Sequence, residues 1–282
     1  MTTEIFDGKS AKQQILANLR QGITDNQVKP VLAIILVGDD PASKLYIRLK
    51  KEAGAQIGIR VEHFIFDEHV KEEEVIEKIR QINNDSAFDG LIVQLPLPEK
   101  FDTHKIITSI DPKKDVDGFH EKNQSHEGAH FMPVLPKAIL FTLRLAFGNN
   151  FGGRKITALV NSEIFGRVLA TFLGREGIDL HYIVRTGVPA ADMKAGLPTA
   201  DAIISACGIP GLIEGGNIKN RAVLIDAGIA RDADGIIKGD VDMESVKGKA
   251  AFLTPVPGGI GPLTVAFLLE NVYLSALKKH GK

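Results

Sequence analysis

A chain of 282 residues with 44% hydrophobic and 24% charged residues is long enough for two domains with full cores and is ordinary for a soluble globular protein. Its net charge of −1 excludes a global electrostatic pull toward nucleic acid or anionic membrane, and its single cysteine, Cys207, excludes an internal disulfide and fits a reducing compartment. No apolar run is read as approaching the roughly 20 residues that span a bilayer, and "MTTEIFDGKS" lacks a secretory pattern, so a cytoplasmic protein is expected.

Residues 31–37, "VLAIILV", are a continuous, β-branched apolar run, the pattern of a strand buried on both faces. Helical spacing follows over 41–58, with Pro41 suited to a first helical turn. A strand over 60–66, an amphipathic helix over 72–84 and a strand over 88–96 complete βαβαβ, which predicts a parallel sheet with right-handed crossovers. The polar, histidine-bearing stretch 114–133 reads as an interdomain segment, and a helix from about 136 to 147 follows. The pattern then restarts with a strand over 156–160, a helix over 164–176 and strands over 179–184, 201–206 and 222–226. "DADG" (232–235) suits a small hairpin, and 261–280 reads as a long amphipathic helix ending in basic residues, as the helix dipole favours. The predicted fold class is α/β: two α/β domains with a cleft between them, the C-terminal one Rossmann-like. The predicted boundaries are 1–135 plus 262–282 for one domain and 136–261 for the other. Such a cleft is the default place for a ligand.

Tyr46 and Lys50 are four apart on the first long helix and project from one face. Their helix follows a buried parallel strand, and a desolvated lysine there has a lowered pKa and can act as a base. Against this stands the plain reading of a core edge beside a solvated charge. Gln94, in the apolar "VQLPLP", is either a satisfied structural amide or a partner that orients the lysine. Asp115 and Asp117 in "KKDVDGF" are either turn formers before Gly118 or a carboxylate that grips paired N–H donors of a nitrogen heterocycle. "TPVPGGIGPLT" (254–264) has the proline and glycine content of a rigid loop that a ligand can approach closely. His120, His126 and His130 lack metal-ligand spacing and read as a hydrated loop, so no metal is expected; no G-x-S-x-G elbow supports a serine hydrolase.

Taken together, "VGDDPASKLYIRLK", "DGLIVQLPLP", "KDVDGFH", "GDVDM" and "TPVPGGIGPLT" resemble the bifunctional methylenetetrahydrofolate dehydrogenase/cyclohydrolase family, in order and along nearly the whole chain. The resemblance implies NADP-dependent oxidation of 5,10-methylenetetrahydrofolate to the methenyl form and hydrolysis of that to 10-formyltetrahydrofolate. It also implies a homodimer acting in one-carbon metabolism, with purine biosynthesis downstream. By motif, it makes Lys50 the catalytic lysine, Gln94 the glutamine that tunes it and Tyr46 the aromatic that packs on the folate. Asp115 becomes the carboxylate that holds the pterin, and Pro257, Gly258 and Gly259 the loop lining the folate pocket. It thus makes 1–135 plus 262–282 the folate-binding catalytic domain and 136–261 the NAD(P)-binding one.

The departures lie on the nucleotide side. After the strand of "KITALVNSEIFGRVLATFL" (155–173) the family has a glycine, a variable residue and a serine; here stand Val160, Asn161 and Ser162. Valine disfavours positive φ, and Glu163 adds a negative charge where phosphates are expected. "PVLPKA" (133–138) likewise replaces the family's "PCTPKG". Gly166 still allows close helix–strand packing, and "ACGIP" and "DAGI", with Gly208 and Ile229, resemble loops flanking the nicotinamide. Arg185 stands where an NAD-preferring fold carries an acid and suits the 2′-phosphate of NADP; otherwise it is a surface charge. Three readings follow: a working bifunctional enzyme on NADP, with NAD left open; a relative with weakened nucleotide binding and an impaired dehydrogenase that retains cyclohydrolase activity or only folate binding; and a non-catalytic folate-binding protein, against which the intact Lys50, Gln94 and Asp115 argue.

Overall fold

The computed structural model describes residues 2–125, 129–186, 188–231 and 235–281. A short strand β1 (Glu4–Ile5) leads into α1 (Gly8–Asp25), whose first N–H groups, from Lys9 and Ser10, donate to the Asp7 carboxylate. β2 (Val31–Val37) is buried at all seven positions, as expected of a central parallel strand. α2 (Pro41–Ile57) starts behind Asp40, which accepts from the Ser43 N–H, and stops where Gly58 turns left-handed at φ 86°. β3 (Arg60–Phe66), α3 (Glu72–Asn84), β4 (Gly90–Val93), α4 (Thr103–Thr108), α5 (Glu121–Gln124) and α6 (Val134–Phe147) follow. Then come β5 (Ile156–Val160), α7 (Glu163–Arg175), β6 (Leu180–Val184), α8 (Ala190–Lys194), β7 (Ala202–Ala206) and β8 (Val223–Asp226). β9 (Ala230–Arg231), β10 (Ile237–Lys238), α9 (Met243–Val246), β11 (Phe252–Leu253) and α10 (Ile260–Lys279) complete the chain. The helix α1 and the two-residue strands β1 and β11 carry no period that the sequence reading picked out. The hairpin β9–β10 forms as expected, while 232–234 of its "DADG" turn lie outside the described residues.

The chain divides into two compact units, one of Met1–Ala11 with Leu135–Thr264, the other of Lys12–Val134 with Val265–Lys282. The first residues therefore join the C-terminal half, unlike the expected boundary, because β1 pairs parallel with β11 (Glu4 opposite Phe252). The unit of Lys12–Val134 holds a parallel sheet in the order β3-β2-β4. Its sheet packs on α3 and α4 through Val75, Ile79, Ile106 and Ile107, all buried. The other unit holds a six-stranded sheet, β1-β11-β8-β7-β5-β6, parallel at every pairing. In both sheets the first long strand lies between its successors, so the order reverses beside β2 in one and beside β5 in the other. Parallel α/β sheets bind ligands outside the strands' carboxyl ends at such a reversal.

Two expectations change. Within 114–133 the described residues are not all part of a hydrated loop: Val116 and Asn123 are fully buried and His120 nearly so, and the Asn271 side chain donates to the carbonyls of Val116 and Met132. His120 accepts from the Lys122 N–H at the start of α5, His130 donates its N–H to Asn123, and His126 lies outside the described residues. α10 is long and apolar enough by length and composition to cross a membrane, unlike the expectation that no apolar run approaches that length. Most of that apolar surface is inside the protein, with Leu268, Leu269, Val272 and Ala276 buried, as in the core helix of a globular domain.

Gly166 shows how tightly α7 sits on its sheet: a Cβ there would lie 2.4 Å from the Tyr182 ring. We expect Gly166→Ala to cost about 1–3 kcal/mol through overpacking; a thermal midpoint equal to that of the parent would show that the helix moves away freely.

Candidate functional site

The first candidate site lies at the carboxyl ends of β2 and β4. α2 leaves β2 and carries Tyr46 and Lys50, while Gln94 is the first residue past β4, its N–H donating to Ile35 of β2. Lys50 Nζ donates to Gln94 Oε1 at 2.9 Å, and the Gln94 amide donates in turn to the Leu95 carbonyl at 2.9 Å. Gln94 is thus turned with its oxygen toward the lysine, and both predicted residues meet as expected. Burial lowers the Lys50 pKa from its ordinary value, with the Asp117 charge pulling the other way. A lysine so placed is unprotonated, and so free to accept a proton, more of the time at neutral pH than one in water.

The carboxylates next to it differ from expectation. Asp115 bridges Leu91 of β4, is 1% exposed and accepts from the N–H groups of Gly118 (3.2 Å) and His120 (2.8 Å) and from the Asn123 amide (2.9 Å). Burial raises its pKa and these donors oppose the rise. Its role in the fold is to close the turn, and its oxygens face protein donors. Asp117, in the turn after the bridge, is the carboxylate coupled to Lys50: burial pushes its pKa up to about 6, with Lys50 lowering and Asp115 raising it. The family resemblance implies Asp115 for this role, but no periodicity separates the two aspartates, because the distinction arises from which one α5 and Gly118 close upon.

The second candidate site lies in the other unit, where β5 sits between β6 and β7. Their carboxyl ends bring together Val160, Arg185 and Cys207: the Arg185 N–H donates to the Val160 carbonyl at 2.9 Å and its guanidinium donates to the Cys207 carbonyl, across the end of β5. Val160 is the last paired strand residue, opposite Val184 and Ala206, and is fully buried. Gly166 is also buried, beneath Tyr182. Neither presents surface to a ligand, so both leave the set of expected nucleotide contacts and serve packing instead. Nor does the valine strain the backbone, since Gln27 and Arg221 are the non-glycine residues with positive φ among those described. Ser162 is extended and caps α7, its hydroxyl accepting from the Phe165 N–H at 3.3 Å. The Glu163 carboxylate accepts from the Tyr182 hydroxyl at 2.6 Å, on the β6 side of the helix.

Asn161, Ser162, Arg185, Gly208 and Ile229 remain around this end of the sheet. Gly208 turns left-handed at φ 69°, and a Cβ there would lie 3.3 Å from the Ile229 carbonyl, so the two loops that sequence resemblance singled out do meet. Ile229 and Ile164 are 52% and 58% exposed, apolar side chains at the rim of the same sheet end. Helix N–H groups for phosphate, a guanidinium at the end of β6 and apolar rims fit a dinucleotide. Pro257–Gly259 form a rigid loop in this unit: Gly8 donates its N–H to the Gly258 carbonyl at 3.0 Å, and a Cβ on Gly8 would fall 1.9 Å from the Gly259 oxygen. Among the described residues no group of three His, Cys, Asp or Glu side chains could hold a metal ion.

Comparison with known proteins also gives two halves, with bounds that differ from the compact units at both ends of the chain. Residues 6–117 match the family described as tetrahydrofolate dehydrogenase/cyclohydrolase, catalytic domain, and residues 133–280 match its NAD(P)-binding domain. The chain is 37% identical to the bifunctional protein FolD of Staphylococcus aureus, over 100% of this chain and 99% of that one. It is 37% identical to the FolD protein of Nautilia profundicola over 96% of each. Among solved structures, the bifunctional FolD enzyme of Campylobacter jejuni superposes with a TM-score of 0.89 at 33% identity, covering 98% of this chain and 99% of that one. The Trypanosoma brucei FolD enzyme, solved with NADP cofactor and inhibitor, superposes at 0.91 with 28% identity, covering 100% and 99%. With both halves matched in order and full-length relatives above 30% identity, the chain belongs to the tetrahydrofolate dehydrogenase/cyclohydrolase family.

Proposed function

We propose that this chain carries out both reactions of its family: NADP-dependent oxidation of 5,10-methylenetetrahydrofolate to the methenyl form, and hydrolysis of that to 10-formyltetrahydrofolate. The observation that carries the assignment is the Lys50–Gln94 hydrogen bond of 2.9 Å at the carboxyl ends of β2 and β4, with Asp117 coupled to the same lysine. The methenyl carbon is an iminium electrophile, so hydrolysis needs a positioned water and a proton acceptor rather than a protein nucleophile. Lys50, its pKa lowered by burial, accepts the proton released as water adds to that carbon. Gln94 holds the Nζ in place, and Tyr46 packs on the folate. Asp117 replaces Asp115 as the carboxylate offered to the pterin N–H groups, because the oxygens of Asp115 already face three protein donors. Pro257, Gly258 and Gly259 are assigned to folate contact.

NADP, when bound, accepts the hydride from the methylene carbon. Asn161 and Ser162 at the start of α7 would hold its phosphates, Arg185 the 2′-phosphate, and the loops of Gly208 and Ile229 the nicotinamide end. No feature of the β5–α7 turn favours an impaired dehydrogenase: Val160 is an unstrained strand residue and Glu163 is engaged by Tyr182. We further assign a cytoplasmic homodimer whose product feeds purine biosynthesis. Support for the dimer is β3, an edge strand with Ile65 57% exposed, which a second copy could pair.

Lys50→Met should lower methenyl hydrolysis by about 100-fold or more, the usual worth of a positioned base; hydrolysis at the parent rate would remove Lys50 from the mechanism. For Asp117 the folded pKa of about 6 exceeds its ordinary value of 3.8, so the folded state keeps a proton that the unfolded state has lost. Stability therefore falls as pH rises between those two values. Asp117→Asn should raise the thermal midpoint at pH 7.5 but not at pH 3.5, while raising KM for folate; equal stability changes at both pH values would contradict the assigned burial. Arg185→Gln should weaken NADP by about tenfold or more, the worth of a charge-assisted hydrogen bond, and leave NAD unchanged. Equal losses for the two nucleotides would rule out contact with the 2′-phosphate.

A further inference from the structure

The string "GDVDM" (239–243) has no assigned part in either reaction, yet it contributes a buried carboxylate that accepts three hydrogen bonds. Asp240 is 0% exposed, and its Oδ2 accepts from the Ser205 hydroxyl (2.6 Å) and the Cys207 N–H (2.7 Å). Its Oδ1 accepts from the Ile209 N–H at 2.6 Å. All three donors belong to the end of β7 or the loop after it, on either side of left-handed Gly208. A second carboxylate locks the first. Asp226, at the end of β8 and 1% exposed, accepts from the N–H groups of Asp240 (3.1 Å), Val241 (2.9 Å) and Gly228 (2.9 Å).

The two carboxylates also occupy the space that side chains would fill. A Cβ on Gly228 would lie 2.1 Å from Asp240 Cγ, and a Cβ on Gly239 would lie 2.1 Å from Asp226 Oδ2. Each aspartate thus sits against the glycine of the other's loop. A neutral, apolar filler would pack this space without the cost of burying two like charges. Burial, with Asp240 adding to it, pushes the Asp226 pKa up to about 7, the mark of that cost. What the pair supplies in return is geometric: six donors on three chain segments are directed at four oxygens.

We propose that Asp240 and Asp226 are positioning residues for the dehydrogenase, an interlocked pair that sets the loops of Gly208 and Ile229 at the spacing a nicotinamide requires. The inference rests on the reading that those loops flank the nucleotide. Asp240 acts through the N–H groups of Cys207 and Ile209, and Asp226 through Gly228 and the backbone of Asp240. Neither touches a reacting atom. Asparagine at 240 would turn an NH2 group toward one of the N–H donors and release that anchor while keeping volume.

The experiment measures NADP affinity by titration, methenyl hydrolysis and thermal midpoint for the parent, Asp240→Asn, Ser205→Ala and the double variant. We expect Asp240→Asn to weaken NADP tenfold or more with hydrolysis, whose lysine lies in the other unit, within twofold of the parent. Ser205→Ala, which deletes one donor and leaves the loop N–H bonds, should weaken NADP by about threefold, and the double variant should bind no worse than Asp240→Asn alone. Unchanged NADP affinity in Asp240→Asn overturns the inference while leaving the nucleotide site intact. If Asp240→Asn fails to fold, Ser205→Ala decides, parent-like affinity overturning the inference. If the parent itself binds no NADP, the underlying reading falls and the inference with it.

Discussion

Parallel pairing is the constraint from which the rest follows. Two parallel strands cannot be joined by a tight turn, so each connection returns across a sheet face and every strand delivers its carboxyl end to the same edge. In the three-stranded sheet that edge receives Gly38, Gln94 and the start of α2; in the six-stranded one it receives Val160, Arg185, Cys207 and the loop of Ile229. The central strands are buried along their length and supply no chemistry themselves. Chemistry collects where the order reverses, because there two connections leave in opposite directions and uncover the strand ends between them.

At that edge the protein buries charge, and each charge is compensated differently. Lys50 meets an amide oxygen and the field of Asp117, which leaves its proton movable. Asp115 meets three donors within one turn and has become part of the backbone's bonding. Asp226 and Asp240 meet six donors from separate segments and so tie loops together. The same residue type therefore serves as site group, turn closure or clamp according to the number and origin of its donors.

The β5–α7 turn shows how a local departure is accommodated. A valine in place of glycine would be costly if its backbone had to turn left-handed, yet here Val160 is a paired strand residue whose side chain is sealed in the core. A glutamate at a helix start would compete with a phosphate, yet Tyr182 hydrogen-bonds it on the neighbouring strand, over a glycine that leaves room for the ring. Neither solution involves a residue near in sequence to the other partner: Tyr182 is nineteen positions from Glu163.

Read alone, the sequence determined the elements whose signals are local. The apolar runs of β2, β5 and β7, the proline at the start of α2 and the alternation that makes the sheets parallel all follow from spacing and composition, while the pairing of Lys50 with Gln94 came from the family resemblance. The family strings added the folate and the nucleotide. Only the tertiary structure decided which of two aspartates two residues apart faces the lysine and that Val160 and Gly166 pack rather than bind. It also decided that Asp115, Val116, His120 and Asn123 are buried rather than part of a hydrated loop, and that the first eleven residues belong with the C-terminal half. The reason is common to these cases: burial and hydrogen-bond partners come from segments far apart in the chain, and a side chain's chemistry depends on those partners rather than on its neighbours in sequence.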